Sequence, residues 1–368
     1  MQKKISFLAL NATFDFDQIG GTDSYMRRLT SMILELGIEV EWVFYGAKNY
    51  SRDSCQGVKI IKYGLFNDAL KYIESTDTNY LISCFLKPID RFKLLKYRLP
   101  FKKNNFKLFS LSFFYPETVL KKTLRKIELC LVQYNGVLCV SKRLYDFNAG
   151  ISHNVHYLPP IIPKSYFEIG YDKASNSAVT ENSNLRALFL GRLDPRKGIN
   201  EVISVIESVE LTKNIEWSVS GIYIPEDDGN VAALQRLKSC QSVKFHEESR
   251  SSYSLKVESR VLSYFTHNDV FLQPYRSLAS TVDLPLLLLE AQAAGCIVLT
   301  TLPEILNDYL YDKSEAIADK FVEKSVCLLN QYTSISTNYC ITNEALQELE
   351  LEYSEDAIEN RLKGILNV

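Results

Sequence analysis

The sequence predicts an α/β protein of two units, each a parallel sheet covered by helices, and three observations carry the prediction. Short apolar, β-branched runs alternate along the whole chain with longer stretches of helical apolar spacing, the pattern of parallel-sheet proteins. The length of 368 residues exceeds one ordinary domain and suits two. A polar, proline-containing stretch near the middle separates halves of opposite charge. Residues 1–170 hold 24 Lys and Arg against 15 Asp and Glu, a net of +9, whereas residues 171–368 hold 18 against 29, a net of −11.

In chain order, KKISFLAL (Lys3 to Leu10) is the first strand. A loop, NATFDFDQIGG, leads into TDSYMRRLTSMILELG, where Tyr25, Leu29, Met32 and Ile33 recur at helical spacing, Thr22 or Asp23 can cap, and Gly37 stops the helix. The pair Gly20-Gly21 stands just before that helix, where bare backbone amides can approach a phosphate; a plain turn explains two glycines equally well. Strand IEVEWVFYG follows, then VKIIKYG, a helix around Asn67 to Ile73, and strand YLISCFL (Tyr80 to Leu86). The stretch Lys87 to Lys107 interleaves eight basic residues with Phe92, Tyr97, Phe101 and Phe106 and has one acid, and a second basic helix begins at Lys121. A solvated face accounts for such charge, as does a surface resting on anionic lipid headgroups. No nucleic-acid-binding signature accompanies it, so nucleic acid is not the expected partner. Strand GVLCVS (Gly136 to Ser141), helix KRLYDFNAG and strand VHYLPP complete residues 1–160.

Residues 161–184, with Pro163 and the polar run KASNSAVTENSN, read as the linker, and residues 185–350 as the second unit. Its first strand is followed by the tight loop GRLDPRKG and a helix with the stripe Ile199, Val202, Ile203 and Ile206. Arg192 and Lys197 flank the loop, and Gly191 and Gly198 keep its backbone accessible. Two cations between a strand end and a helix start suit a diphosphate; a solvent-exposed basic turn is the plainer alternative. Strand IEWSVSG, a helix near Val231 to Ser239, strand SVKFHE, helix SLKVESRVLSYF and the run HNDVFLQPY come next.

Thr281 to Thr301, TVDLPLLLLEAQAAGCIVLTT, is the densest signal. Asp283 is a fair N-cap, Pro285 suits a first helical turn and Gly295 a left-handed residue after the helix, which gives a helix of about Leu284 to Ala294 and then an interior strand. Glu290 is a carboxylate among leucines and alanines, costly unless satisfied. Ligands of open parallel sheets bind at strand carboxyl ends, so Glu290 either faces such a ligand, faces water or caps a neighbouring loop. The tail from Ile317 reads as largely helical.

Composition excludes several classes. A hydrophobic content of 46% and a charged content of 23% are those of a globular protein, and no apolar run approaches a membrane span, so a cytoplasmic location is expected, with the inner face of the membrane in reach of the basic stretch. The eight cysteines lack C-x-x-C spacing and suit buried free thiols; the four histidines form no metal-ligand pattern, and no metal site and no cofactor are expected.

Taken together, the double-glycine loop, GRLDPRKGI, HNDVFLQPY and LPLLLLEAQAAGCIVLTT, in that order and over nearly the whole chain, resemble the GT-B glycosyltransferases, in particular the retaining, nucleotide-sugar-dependent family 4. The resemblance implies two Rossmann-like domains facing a central cleft, with the last helix, about residues 353–366, returning to the N-terminal domain. It implies that Arg192 and Lys197 bind and stabilise the departing diphosphate, that Glu290 accepts hydrogen bonds from ribose hydroxyls, and that Gly21, beside Gly20, lets the N-terminal domain close on the phosphates. Donor contacts are implied for Gly191 and for the segment Thr281, Val282, Asp283 and Leu284. The implied substrates are a nucleotide-sugar donor and a saccharide or lipid-linked saccharide acceptor, with transfer by retention and without metal, in cell-surface polysaccharide or glycoconjugate synthesis.

Three positions depart from the family pattern. Val282 stands where a Glu separated from the helix Glu by seven intervening residues is usual, Gly221-Ile222-Tyr223 shortens a glycine-rich loop, and Ser112 and Phe113 occupy the place of a frequent histidine. The alternative to a transferase is a protein of the same shape that lacks transfer activity and serves as a binding or assembly partner. An epimerase of similar shape would need carboxylate or histidine bases that the sequence does not place.

Overall fold

A computed structural model describes residues 3–11, 20–55, 57–97, 106–176, 184–209, 215–222, 228–248, 255–276, 282–301, 304–317, 319–334 and 340–368. The chain divides into two compact units, residues 1–161 with 359–368, and residues 162–358.

In the first unit the elements run β1 (Lys4–Leu10), α1 (Gly21–Glu35), β2 (Glu39–Tyr45), β3 (Ser51–Cys55), β4 (Val58–Tyr63), α2 (Phe66–Glu74), β5 (Tyr80–Ser83), α3 (Pro88–Lys93), β6 (Lys107–Ser112), α4 (Val119–Val132), β7 (Gly136–Cys139), α5 (Lys142–Ala149) and β8 (Val155–Tyr157). The sheet order is β3-β4-β2-β1-β5-β6-β7-β8, so the chain reverses its winding between β1 and β5. All pairs are parallel except β3 with β4. The edge strand β3, SRDSC, is mostly exposed and polar, so only its pairing makes it a strand and its residues carry no alternation to read. The centre of the sheet is apolar, with Phe7 stacked on Trp42 at 4.5 Å.

One carboxylate is enclosed on the opposite face of the sheet from that stack. Glu41 on β2 accepts hydrogen bonds from Ser6 Oγ at 2.7 Å and Tyr72 OH at 3.0 Å and lies 2.9 Å from Lys4 Nζ. Burial pushes its pKa up, but the bonds from Ser6 and Lys4 outweigh burial and hold the carboxyl below its usual range.

The second unit runs α6 (Lys164–Asn176), β9 (Leu185–Arg192), α7 (Ile199–Val209), β10 (Ile215–Ile222), α8 (Asp228–Ser239), β11 (Val243–Glu248), α9 (Leu255–Thr266), β12 (Val270–Gln273), α10 (Leu286–Ala293), β13 (Ile297–Thr300), β14 (Glu315–Ala316), α11 (Phe321–Ser334) and α12 (Asn343–Tyr353), and the last helix, α13 (Glu355–Leu366), is shared with the first unit. Its parallel sheet has the order β11-β10-β9-β12-β13-β14. Alternate residues of β9 enter opposite cores: Ala187 and Phe189 pack with Trp217 and the α7 stripe, while Leu188 and Leu190 pack with Phe271, Leu288 and Phe167. A strand buried on both faces shows a continuous apolar run, which is why β9, β12 and β13 stand out in the sequence.

Three expectations need correction. Much of the stretch 161–184 is helix rather than linker: α6 spans Lys164–Asn176, and its Tyr166 and Phe167 are buried in the second unit's core. Gly170 brings the helix against the backbone of Ala293, and Lys173 Nζ donates to the carbonyls of Phe265 and Asn268, each at 2.6 Å, at the carboxyl end of α9. The helix before β13 starts at Leu286, not Leu284, and its N-cap is Pro285, so Asp283 does not cap it. Proline disfavours helical geometry in the residue before it, which keeps Leu284 out. Similarly α1 is capped by Gly20 without any side-chain bond, and Thr22 and Asp23 lie inside its first turn.

At its other end α10 stops as the sequence indicates. Gly295 has φ +77, and the amides of Gly295 and Cys296 return to the carbonyls of Gln292 and Ala291, a Schellman closure. Helix α13 begins in the second unit, and its residues from Glu359 belong to the first. There Tyr80 OH donates to the Leu366 carbonyl at 2.5 Å, and Arg361 lies over the ring of Tyr157.

Candidate functional site

The second unit winds outward in both directions from β9, with β10 and β11 on one side and β12 to β14 on the other. The carboxyl ends of β9 and β12 therefore form the switch point, where open α/β sheets take their ligands. The residues at these ends are Gly191 and Arg192 on β9 and Gln273 on β12, followed by Pro274 and Tyr275.

The loop after β9 is fastened from two sides. The Leu193 amide donates to the Ile222 carbonyl at 3.1 Å, and the Leu193 side chain fills the place a Cβ would take on Gly221. Gly198, at φ +78, lies so close to the Pro274 carbonyl that any side chain would collide with backbone. Between these fixed points Pro195–Lys197 forms a 3-10 turn, capped by Asp194, whose Oδ1 accepts from the Arg196 amide at 2.9 Å.

Asp194 is buried, and it also accepts from the Arg196 guanidinium through Nε and, at 2.8 Å, through Nη2; Arg192 Nη2 lies 3.8 Å away. Burial raises the Asp194 pKa, but the hydrogen bonds from Arg196 prevail and lower it. One carboxylate thus anchors two guanidinium groups. Lys197, half-buried, places its ammonium 4.6 Å over the Tyr275 ring. Burial, then the charge of Arg192, hold the Lys197 pKa down at about 7. Lys197 is therefore poised to gain a full charge when an anion arrives beside it.

The structure brings Gly191, Arg192 and Lys197 together here. Gly191, at φ +153, lies against the Gln273 amide, within about the reach of one added carbon. Val282, Asp283 and Leu284 are buried between β12 and α10, and Thr281 lies outside the described residues. Glu290 sits in the second turn of α10 with 3% of its surface exposed, which removes the solvent-facing alternative and leaves a ligand contact or the capping of a neighbouring loop. Gly20 and Gly21 are in the first unit, at the amino end of α1.

Sequence reasoning missed three participants. Gln273 is 1% exposed, and its Oε1 has no hydrogen-bond partner among the described residues. Its polarity in an apolar strand was a readable signal. Tyr275 supplies the face under Lys197, with nothing in its sequence position to mark it. Glu201, in the first turn of α7, pairs with Arg276, whose amide donates to the Arg196 carbonyl at 3.1 Å. Among the described residues no group of three His, Cys, Asp or Glu is arranged to hold a metal ion.

Residues 172–325 match the family model described as "Glycosyl transferases group 1". The second unit is a group 1 glycosyl transferase domain. The chain as a whole has the GT-B fold, and its solved structural relatives are glycosyltransferases. Sucrose-phosphate synthase from Thermosynechococcus elongatus aligns at a TM-score of 0.70 and 12% identity, over 100% of this chain and 98% of that one. A glycosyltransferase from Rickettsia africae aligns at 0.69 and 10%, over 99% of each chain. HepE of Anabaena, solved in complex with UDP and glucose, aligns at 0.68 and 10% over 100% of both chains. At these identities the likeness is one of fold. No curated protein matches this glycosyltransferase in sequence.

Proposed function

We propose that the glycosyltransferase moves a sugar from a nucleotide-sugar donor to a saccharide or lipid-linked saccharide acceptor, with retention of anomeric configuration and without a metal, in cell-surface polysaccharide or glycoconjugate synthesis. The observation that carries this is the pairing of Arg192 and Lys197 at the switch point of the second unit. Breaking a glycosyl–phosphate bond develops negative charge on the leaving diphosphate, and a fixed guanidinium with an ammonium beside it stabilises that charge where it forms. Arg192 is held by Asp194 before any substrate arrives, so little reorganisation accompanies the reaction.

In the same proposal Gly191 lets the donor phosphates approach the end of β9, the backbone at Thr281 to Leu284 contacts the sugar, Glu290 accepts from the ribose, and Gly20 and Gly21 offer bare amides to the phosphates. UDP and glucose in the HepE complex support a nucleotide-sugar donor by likeness of fold. Retention follows from attack by the acceptor on the face that the leaving group vacates, with the diphosphate itself receiving the acceptor proton. Encounter with a lipid-linked acceptor takes place at an anionic membrane surface, to which the basic stretch Lys87 to Lys107 contributes; residues 98–105 of it lie outside the described residues. No helix among the described residues is long and apolar enough to cross a membrane.

The test is release of nucleoside diphosphate from a panel of UDP-, GDP- and ADP-sugars in the presence of saccharide acceptors, with anomeric configuration of the product read by NMR. Arg192→Ala and Lys197→Ala are each expected to lower the rate about 10²-fold or more. Wild-type rates in both variants would overturn the assignment, and an inverted product would overturn retention.

A further inference from the structure

Helix α4 buries one face and leaves a second apolar face bare. Arg125, Glu128, Leu129 and Val132 are buried, whereas Leu120, Leu124, Ile127 and Leu131 are exposed, Leu120 at 69% and Ile127 at 43%. Spacings of four, three and four residues put these four on a single stripe. Val119 and Phe114 are exposed beside its start, and Ile89 is exposed on α3, which packs against α4.

Apart from Glu117, exposed two residues before α4, the charge around the stripe has one sign. The acids of α3 and α4 are both turned inward: Asp90 accepts from Lys93 at 2.6 Å, and Glu128 is enclosed by Arg125, by Arg91 at 3.2 Å and by Tyr134 OH at 2.8 Å. Lys87, Lys121 and Lys126 remain exposed. An apolar stripe set among lysines, with its carboxylates withdrawn, complements a surface that is anionic outside and apolar beneath. A second copy of this chain fits poorly, because a symmetric contact would set the lysines against each other.

We infer that α4 lies in the plane of an anionic bilayer, with Leu120, Leu124, Ile127 and Leu131 entering the boundary between headgroups and acyl chains and Lys121 and Lys126 contacting lipid phosphates. The inference rests on the membrane encounter proposed above and moves its main contact from the stretch 87–107 to α4.

The test is co-sedimentation of the full chain with vesicles of phosphatidylcholine alone or mixed with phosphatidylglycerol. The wild type is expected to bind the mixed vesicles and not the neutral ones. Leu124→Ser/Ile127→Ser and Lys121→Glu/Lys126→Glu are each expected to reduce binding roughly tenfold or more, with the fold retained in a cooperative melt because none of the four side chains is fully buried. Undiminished binding by both double variants overturns the role of α4 while the membrane encounter stands, and loss confined to Lys102→Glu/Lys103→Glu assigns the contact to the stretch 87–107. A wild type that binds neither vesicle overturns both. A dimer in sedimentation velocity that Leu124→Ser/Ile127→Ser converts to monomer gives the stripe to a second copy and overturns the lipid assignment.

Discussion

The ammonium of Lys197 lies 4.6 Å over the ring of Tyr275, in a position where burial and Arg192 hold its pKa at about 7. An arriving diphosphate opposes both effects and raises that value. Above pH 7 binding must then bring a proton to Lys197, so donor affinity falls as pH rises, by up to about tenfold per unit until the bound-state pKa is reached. Calorimetry in buffers of different ionisation enthalpy should record uptake of up to one proton near pH 8. Nucleotide sugars suit this measurement because their esterified phosphates do not titrate there. Binding without proton uptake would remove Lys197 from contact with the diphosphate.

The same group sets a stability prediction of opposite sense. Its folded pKa lies below the unfolded value of 10.5, so the penalty for burying the cation is full below pH 7 and relieved as pH rises from 7 toward 10.5. Lys197→Met removes the charge and keeps the apolar stem, and is expected to raise the melting temperature at pH 7 while donor binding is lost. A lower melting temperature with retained binding would contradict both the pKa and the role.

Much of this site was legible in the sequence because its parts obey local rules. Gly191 and Gly198 bracket a loop, Arg192 and Lys197 are cations beside a strand end, and Gly295 closes α10 as its left-handed φ requires. The strands buried on both faces were legible for the same reason. What escaped depends on partners distant in sequence. The strand β3 exists through its pairing with β4, Tyr275 matters because Lys197 folds onto it, and Asp194 is recognisable as a clamp only once Arg196 turns back on it. Helix α6 was mistaken for linker because prolines and a polar run on either side masked a short amphipathic stretch whose Tyr166 and Phe167 need the second unit's core to justify them.

Asp194 separates capping from electrostatics. Its charge raises the Lys197 pKa, while its carboxylate oxygen caps the turn at the Arg196 amide. Asn is about as good a cap as Asp, so Asp194→Asn keeps the turn, while the melting temperature falls because Arg196 and Arg192 lose their counter-charge. With the negative charge gone, Lys197 loses its proton more readily, and the pH midpoint of donor binding should move to lower pH. Asp194→Ala removes the cap as well and should cost about 1 kcal/mol more than Asp194→Asn. Identical pH profiles for wild type and Asp194→Asn would show that Asp194 does not act on Lys197.

Gln273 offers a buried acceptor beside Gly191 that has no hydrogen-bond partner among the described residues. Leaving such an atom unsatisfied costs about 1–3 kcal/mol, a cost that a donor hydroxyl or amide would relieve. Gln273→Leu is therefore expected to hold or raise the melting temperature and to weaken donor binding by about tenfold, read by calorimetry with the donor that gives turnover. Unchanged affinity with a raised melting temperature would leave Gln273 as a packing residue only.

Glu41 gives a pH-dependent test of the first unit. Ser6, Lys4 and Tyr72 hold its carboxyl below 4.5 against the effect of burial. A depressed carboxylate contributes stability that is complete above its unfolded value of 4.5 and is lost as pH falls through the lower folded value. Glu41→Gln keeps an acceptor for Ser6 and Tyr72 but removes the buried charge facing Lys4 and Lys59, leaving Lys4 only the exposed Glu39 at 3.6 Å, at a cost of about 3 kcal/mol near pH 7. Hydrogen-exchange protection of the β1 and β2 amides reads this cost within the first unit. The gap between wild type and variant should be constant from pH 7 to about 5 and close below that, because only the wild type loses the charge. A gap that stays open at acid pH would mean that packing around Glu41, rather than its charge, stabilises the sheet.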